Sequence, residues 1–260
     1  MDLGIKGRRA IVCASSKGLG RACAEKLAEA GVDLVMNARS EGPLEEAAAA
    51  IREAYGVEVR TVAADVTTEE GRAALLGAEP NADILVNNAG GPPPGLWSDW
   101  GEAEWSAAVR ANMLTPILLA TAALPGMCER GWGRIVNITS ASVKSPIAEL
   151  GLSNGARAGL TGFVAGTARQ VARKGVVMNN LLPGAHMTDR LQSNIAFRAE
   201  KAGKSYDDMK AVMEGGNPTG RFGSAAEFGA VCAFLCSAHV GFMVGQNVLL
   251  DGGAFNATMG

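Results

Sequence analysis

Aromatic and imidazole side chains are scarce in this chain. Aromatic residues make up 5% of its 260 residues, with 2 Tyr, and there are 2 His. The five cysteines, Cys13, Cys23, Cys128, Cys232 and Cys236, form no CxxC pair. Because no His, Cys and carboxylate residues have the spacing of metal ligands, we predict that the chain holds no metal. We expect reduced thiols, as is usual in a cytoplasmic protein.

An excess of positive charge is also absent. The formal net charge is -2 at pH 7, which argues against a nucleic-acid partner. No uninterrupted apolar run reaches the ~18 residues that suggest a membrane span. No apolar signal-peptide region precedes the first predicted strand. We therefore expect a cytoplasmic chain without a membrane or nucleic-acid partner.

Short apolar segments alternate with segments of helical periodicity along the chain. This alternation predicts βαβ units and a parallel sheet covered by helices on both faces. We predict a single doubly wound Rossmann domain over residues 1–260, of the α/β class, with a seven-stranded parallel sheet. Residues 186–218 contain helical segments and no strand pattern. Such a long insertion is typical of a lid over a substrate.

A glycine-rich loop, ASSKGLG at residues 14–20, lies between the first predicted strand and the first predicted helix. Gly18 and Gly20 permit the tight turn and the close backbone approach that a pyrophosphate needs at a helix N-terminus. Ala14 stands where a first glycine is usual, and an alanine is tolerated there if its φ is negative. A Gly-x-Gly alone is a weak signal, but its place between strand and helix favours a dinucleotide site.

The residues after the second predicted strand bear on cofactor selectivity. An acidic side chain there would bind a ribose 2′-hydroxyl and repel a 2′-phosphate. This chain has Arg39 in the segment NARS and no acid before Glu41, and Lys17 adds a cation inside the glycine loop. The pattern favours NADP(H). The alternative is that both cations are solvated surface groups.

Together with the segments ADV, NNAG, RANM, IVNITS, LPGAHMT and GQNVLLDGG, this loop resembles the short-chain dehydrogenase/reductase family, especially its 3-oxoacyl-carrier-protein reductases. The resemblance covers almost the whole chain. It implies a small-molecule substrate and hydride transfer between a nicotinamide and a carbonyl or alcohol. With the two cations above, the predicted NADP(H)-binding residues are Ser15, Ser16, Lys17, Gly18, Leu19, Gly20, Arg39, Asp65, Val66, Asn88, Ala89, Gly90, Arg157, Pro183, Gly184 and Thr188.

The resemblance also implies which residues are catalytic. In the family, a Ser hydrogen-bonds the substrate oxygen, a Tyr donates the proton, a Lys binds the ribose and lowers the Tyr pKa, and an Asn holds a relay water. Ser140 and Asn112 match the Ser and the Asn. The Tyr stands 13 residues after the Ser and the Lys four residues further, positions that are Ser153 and Arg157 here. The predicted catalytic set is therefore atypical.

This departure removes the family's proton donor. A serine hydroxyl is shorter than a phenol and a far weaker acid, and arginine is neither acid nor base near pH 7. His186 in LPGAHMT is a candidate replacement because an imidazole titrates in the useful range. The alternative is that His186 is a structural loop residue. Tyr206 in YDDMK matches the YxxxK pattern, but it lies in the predicted lid, and we interpret it as a chance match.

Three functions are compatible with these residues. The first is an NADP(H)-dependent oxidoreductase with an altered proton relay. The second is a non-redox lyase or hydrolase that uses Ser140, Ser153 and His186. The third is a cofactor-binding protein without catalysis. The resemblance further implies a homotetramer, and the helix after Ser153 carries small residues among apolar ones that favour close helix contacts, namely Gly155, Gly159, Gly162 and Gly166.

Overall fold

The computed structural model describes residues 1–258. Its centre is a seven-stranded sheet in the order β3-β2-β1-β4-β5-β6-β7. Every neighbouring pair is parallel. The strands are β1 Arg9–Val12, β2 Asp33–Ala38, β3 Val59–Ala63, β4 Ile84–Asn87, β5 Gly133–Ile138, β6 Val176–Pro183 and β7 Asn247–Leu250. The predicted parallel, doubly wound sheet is confirmed.

Helices cover both faces of this sheet. Within residues 1–258 these are α1 Gly18–Glu29, α2 Glu41–Tyr55, α3 Glu69–Ala78, α4 Glu102–Val109, α5 Thr115–Glu129, α6 Gly151–Val171, α7 Asp189–Ala202, α8 Tyr206–Gly215 and α9 Ala225–Leu235. A π-helical turn, Arg110–Leu114, joins α4 to α5. The core between the sheet and α1, α2 and α9 is separate from the core between the sheet and α3, α5 and α6.

The central strands are buried on both faces, as their continuous apolar character predicts. In β1, Ile11 belongs to one core and Val12 to the other, because successive side chains of a strand point in opposite directions. Phe228 of α9 is fully buried against the sheet. Burial of each such side chain contributes about 1.5–3 kcal/mol. The cysteines are free, and burial raises the pKa of the Cys13 thiol to about 12.

One helical segment, Glu102–Glu129, is long and apolar enough to cross a membrane when judged by length and composition alone. It consists of α4, the π-helical turn and α5. Leu119 and Met127 of α5 are buried in the core beside β4 and β5. A core helix of a soluble protein passes the same test, and 33% of the apolar window is buried here, so one such segment is weak evidence for a membrane span.

The strand order reverses between β1 and β4. Ligands of open α/β sheets bind in the crevice at the carboxyl ends of the strands beside such a reversal. The segment predicted as a lid contains α7 and α8 and joins the rest of the chain through a bridge between His186 and Gly223. Leu191, Ile195 and Phe222 form a small core of their own beneath it. Its role as a lid stays a prediction.

Candidate active site

The glycine loop leaves β1 in a strained conformation. Ala14 has a φ of 46° and is the one non-glycine residue within residues 1–258 that has a positive φ. The negative φ that would make an alanine readily tolerated at this position is therefore not found. A Cβ in this left-handed region costs about 1–2 kcal/mol, and the surrounding hydrogen bonds must hold the residue there. Gly18, with a φ of 59°, carries the second left-handed turn of the loop at no such cost.

Gly20 brings two backbone segments into contact. A Cβ on this residue would lie 2.2 Å from the Ala14 carbonyl oxygen and 2.7 Å from Asn88 Nδ2. Asn88 Nδ2 in turn donates to the Ala14 oxygen at 3.2 Å. The loop is thus tied to the NNAG segment after β4, and the N–H groups of the first turn of α1 are free to receive an anion.

Ser15 supports the loop from within. Its hydroxyl donates to the Val12 carbonyl at 2.9 Å, its backbone N–H donates to the Asn37 carbonyl at 2.9 Å, and the residue is fully buried. Ser15 therefore shapes the loop rather than presenting a polar group to a ligand. Ser16, Gly18 and Leu19 are half-buried on the open side.

The start of the lid segment closes the other side of the loop. A Cβ on Gly18 would lie 3.8 Å from Thr188 Cγ2, and Lys17 Nζ contacts Asp189 Oδ2 at 3.1 Å. Thr188 is the N-cap of α7 and accepts from the Leu191 N–H at 3.4 Å. Behind it, Gly184 lies against Asp251, where a Cβ would come within 2.6 Å of the Asp251 Cα. The glycine loop and the Pro183-Gly184 segment therefore form two walls of one cleft.

Residues at the far end of the cleft follow β2 and β3. Arg39 is exposed directly after β2. The Asp65 carboxylate accepts from the Thr67 N–H at 2.9 Å, and the hydrogen bonds from Thr67, followed by the positive charge of Arg39, hold the pKa of Asp65 below its ordinary value. The structure thus places Arg39 and Asp65 at the same edge of the sheet, where the sequence predicts the adenosine end of a cofactor.

A small cavity lies between α6 and the π-helical turn. Val66, Asn88, Ala89, Asn112 and Arg157 are among the residues that line it, and its volume is about 20 Å³. Asn112 Nδ2 donates to the Ala108 carbonyl at 3.4 Å, and Asn112 Oδ1 is buried without a hydrogen-bond partner. A cavity of this size has room for one water molecule.

The Arg157 side chain crosses from α6 to the strand ends. Its Nη1 donates to the Ile138 carbonyl at 2.7 Å, and its Nη2 lies 3.5 Å from the Ala89 carbonyl. Burial, and secondarily the charge of Arg190, lowers the pKa of Arg157 to about 10. The guanidinium therefore remains protonated at neutral pH.

Ser140 and Ser153 lie on neighbouring parts of the cleft. Ser140 follows β5, and its Oγ accepts from the Ser142 N–H at 3.1 Å. The 3₁₀ turn Ala141–Val143, which follows Ser140, packs against α6, whose first turn carries the buried Ser153. Asn154 Nδ2 donates to the Ile147 carbonyl at 2.8 Å and fixes this end of the helix.

His186 faces a different part of the molecule. Its ring packs edge-on against Phe228 with centroids 5.2 Å apart, and its Nδ1 lies 3.4 Å from the Gly184 carbonyl. It lines a cavity of about 160 Å³ together with Arg221 and Glu227, and this cavity shares no lining residue with the one beside Asn112. Burial lowers the pKa of His186. The side chain is thus directed toward α9 rather than toward Ser140.

One arginine that the sequence did not point out reaches into the cleft. Arg190, the second residue of α7, donates through Nη1 to the Gly91 carbonyl at 2.8 Å and through Nη2 to the Pro92 carbonyl at 3.1 Å. It therefore connects the lid segment with the loop after β4. Its partners lie 99 and 98 residues away in the chain, so no local sequence pattern marks it.

Comparisons with known proteins agree with this geometry. Residues 13–254 match the family model described as enoyl-(acyl carrier protein) reductase. The chain is 34% identical to the 3-oxoacyl-[acyl-carrier-protein] reductase FabG of Vibrio harveyi, over 97% of this chain and 99% of that protein.

Solved structures give the same result. L-sorbose reductase from Gluconobacter frateurii, complexed with NADPH and L-sorbose, superposes with a TM-score of 0.93 at 30% identity, covering 99% of this chain and 100% of that one. A 3-oxoacyl (acyl-carrier-protein) reductase from Agrobacterium tumefaciens C58 with NADP bound has a TM-score of 0.87 at 28% identity, covering 96% and 95%. The chain described here belongs to the short-chain dehydrogenase/reductase family.

Proposed function

We propose that this protein is an NADP(H)-dependent oxidoreductase of the short-chain type that acts on a carbonyl or alcohol substrate with an atypical active site. The observation that carries the proposal is the cradle at Gly20, where a side chain would overlap the Ala14 carbonyl. Such a close backbone approach at a helix N-terminus fits a pyrophosphate. The relatives and solved structures named above include reductases with NADPH or NADP bound, which supports the same cofactor here.

The residues around the cradle suit the cofactor's other groups. Arg39 is exposed at the end of β2, where a 2′-phosphate would lie, and Lys17 is an exposed cation of the glycine loop. The Lys17–Asp189 ion pair is largely exposed, with 74% and 71% of the two side chains accessible. Exposed pairs contribute little, so Lys17 is free to exchange Asp189 for a phosphate. The bound nicotinamide supplies or accepts a hydride at its C4 carbon.

The proposed catalytic residues hold the substrate and the proton path. Ser140 hydrogen-bonds the substrate oxygen, Asn112 holds a water in the small cavity, and Arg157 binds the ribose through its free N–H groups. Ser153 and Arg157 occupy the positions of the family's Tyr and Lys. The two tyrosines of the chain, Tyr55 and Tyr206, are each 37% exposed at the end of α2 and the start of α8. Neither is placed to supply the missing acid.

The geometry disfavours a lyase or hydrolase built on His186. A general base must come within hydrogen-bond reach of the group it deprotonates, and His186 packs on Phe228 beside a separate cavity. We therefore leave His186 out of the proposed catalytic set and assign it a structural role. A cofactor-binding protein without turnover is the alternative that an assay must distinguish.

The test uses NADPH deuterated at the nicotinamide C4 carbon and a panel of ketones. We expect tight NADPH binding, measured by nucleotide fluorescence, and deuterium on the carbinol carbon of the product, measured by mass spectrometry. Binding without deuterium transfer to any ketone would favour the non-catalytic alternative. Absence of NADPH binding would contradict the proposal as a whole.

Arg39→Asp should reverse the cofactor preference. The change removes a cation beside the 2′-phosphate and adds a repelling charge, so we expect the Kd for NADPH to rise by about 10- to 100-fold. The Kd for NADH should change by less than about 3-fold, because the ribose 2′-hydroxyl can donate a hydrogen bond to the new carboxylate. Fluorescence titrations of both cofactors measure the two values, and Arg60→Asp, at a cation on β3 that pairs with Glu79 instead, is a charge-matched control. An equal change for both cofactors would contradict the selectivity argument.

We also propose a homotetramer, for which the exposed faces of the π-helical turn, α5 and α6 provide support. Leu114 and Leu118 are 40% and 46% exposed, and a Cβ on Gly162 or Gly166 meets nothing within 4 Å. Large uncovered apolar faces are unusual on monomers. Sedimentation velocity at micromolar concentration should show one species of four chains, and a monomer would contradict the proposal.

The other two glycines predicted for that interface have a different role. A Cβ on Gly155 would lie 3.0 Å from Trp105, and one on Gly159 would lie 2.4 Å from Met113 Sδ. Because these two glycines have no side chain, α4 and the π-helical turn can pack closely against α6 within the same chain. The prediction that they mark an intersubunit contact is therefore wrong.

A further inference from the structure

Arg190 is held across the entrance of the cleft by backbone carbonyls, the only partners found for it within residues 1–258. In this part of the chain its guanidinium forms no ion pair with an acidic side chain. It donates hydrogen bonds to the carbonyls of Gly91 and Pro92. A Cβ on Gly91 would come within 2.7–2.8 Å of three guanidinium atoms. The absence of a side chain at residue 91 is thus what lets Arg190 lie flat on this loop.

Arg157 and Arg190 bring two positive charges to the same short stretch of backbone. Arg157 contacts the Ala89 carbonyl, and Arg190 contacts the carbonyls of the second and third residues after it. The two guanidinium groups are close enough to repel each other, because the charge of Arg190, after burial, contributes to the lowering of the Arg157 pKa. Burial lowers the pKa of Arg190 as well.

Neither guanidinium is neutralised within residues 1–258, since no ion pair there includes Arg157 or Arg190. The opposite edge of the sheet differs, because Arg8 and Arg130 both approach Asp83 there. Two like charges in a partly desolvated cleft repel each other more strongly than in water. An anion between or beside them would relieve that repulsion.

We propose that Arg190 is a specificity-determining residue that binds a carboxylate of the substrate, with the charge of Arg157 adding to its attraction. This inference rests on the proposed reductase function and narrows its substrate class to oxo acids or hydroxy acids. A guanidinium has five N–H donors, and Arg190 uses two of them on the loop. The remaining donors suit the two oxygens of a carboxylate.

A substrate anion fits this position better than a cofactor phosphate. Arg190 joins the lid segment, which we expect to cover the substrate, to the loop after β4. The phosphates of the cofactor have their own partners in the glycine loop and in Lys17 and Arg39.

The test measures binding, so that it does not depend on turnover. Pyruvate, acetoacetate and levulinate, each paired with its methyl ester, are titrated by calorimetry into the protein with and without NADP⁺. We expect at least one acid to bind more tightly than its ester by about 10- to 100-fold. Arg190→Met should remove this preference, Arg190→Lys should retain part of it, and Arg198→Met, which removes an exposed arginine of the same helix, should retain all of it.

Gly91→Ala gives an independent variant that keeps the charge. The new Cβ displaces the Arg190 guanidinium from its loop, so the acid preference should fall without loss of the arginine. The proposal is overturned if no acid binds more tightly than its ester, or if the Arg190→Met variant keeps that preference. It is also overturned if Arg190→Met weakens the binding of NADP⁺ as much as it weakens the binding of the acid. The last result would assign Arg190 to the cofactor. Failure of hydride transfer with an intact acid preference would contradict the reductase function alone.

Discussion

Changing Ser153 to Tyr and Arg157 to Lys together is expected to raise kcat for ketone reduction by up to about 10⁴-fold, the upper range of general acid catalysis. Ser140 and Asn112 are already in place beside these positions. A lysine at residue 157 is shorter than the arginine, but its ammonium faces the Ile138 and Ala89 carbonyls that now hold the guanidinium. It would lower the pKa of a phenol at residue 153 toward the working pH.

A control variant separates the effect of the phenol's proton from the effect of the aromatic ring. Ser153→Phe with Arg157→Lys introduces the same aromatic volume at a buried position without a proton donor, and it should show no such gain. The Kd for NADPH should stay within about 3-fold in both double variants, since the glycine loop is unchanged and a lysine at residue 157 keeps N–H donors for the ribose. An equal gain in kcat with Phe, or no gain with Tyr, would contradict the loss of a proton donor as the explanation. The site would then serve a different reaction, whose substrate occupies the space that the introduced ring fills.

The fold follows from the sequence because its signals are local and repeated. Apolar strands alternate with amphipathic helices, and such a pattern has few compact solutions once right-handed crossovers are required. The glycine loop could be located for the same reason, since it must stand between β1 and α1. The positions of Asn112, Ser140 and Arg157 followed from the resemblance, and the structure brings these residues to one edge of the sheet.

Side-chain direction and long-range contacts could not be obtained in this way. His186 stands within two residues of Thr188, yet its ring turns to Phe228 because α9 offers an apolar partner there. Arg190 bonds to carbonyls about a hundred positions earlier. Ala14 keeps its positive φ because its carbonyl is held by Asn88. Each of these features depends on a partner that only the folded chain brings near.

Gly20→Ala is expected to raise the Kd for NADPH by at least about 100-fold, the equivalent of losing two or more charge-assisted hydrogen bonds. The new Cβ would sit 2.2 Å from the Ala14 carbonyl oxygen, a backbone atom that cannot rotate away. The loop must therefore open by a substantial part of an ångström. That movement separates Asn88 from the Ala14 carbonyl and turns the N–H groups of α1 away from the pyrophosphate.

A matched substitution shows whether the effect belongs to the loop. Gly42 lies in the first turn of α2, where a Cβ meets nothing within 4 Å beyond its chain neighbours. Gly42→Ala should therefore keep the Kd for NADPH, and because residue 42 precedes Pro43 we expect no gain in helix stability. Circular dichroism of Gly20→Ala at the assay temperature distinguishes a displaced loop from an unfolded chain. A folded Gly20→Ala variant that binds NADPH as tightly as the parent would remove the cradle from the binding site, and with it the main support for the proposed cofactor.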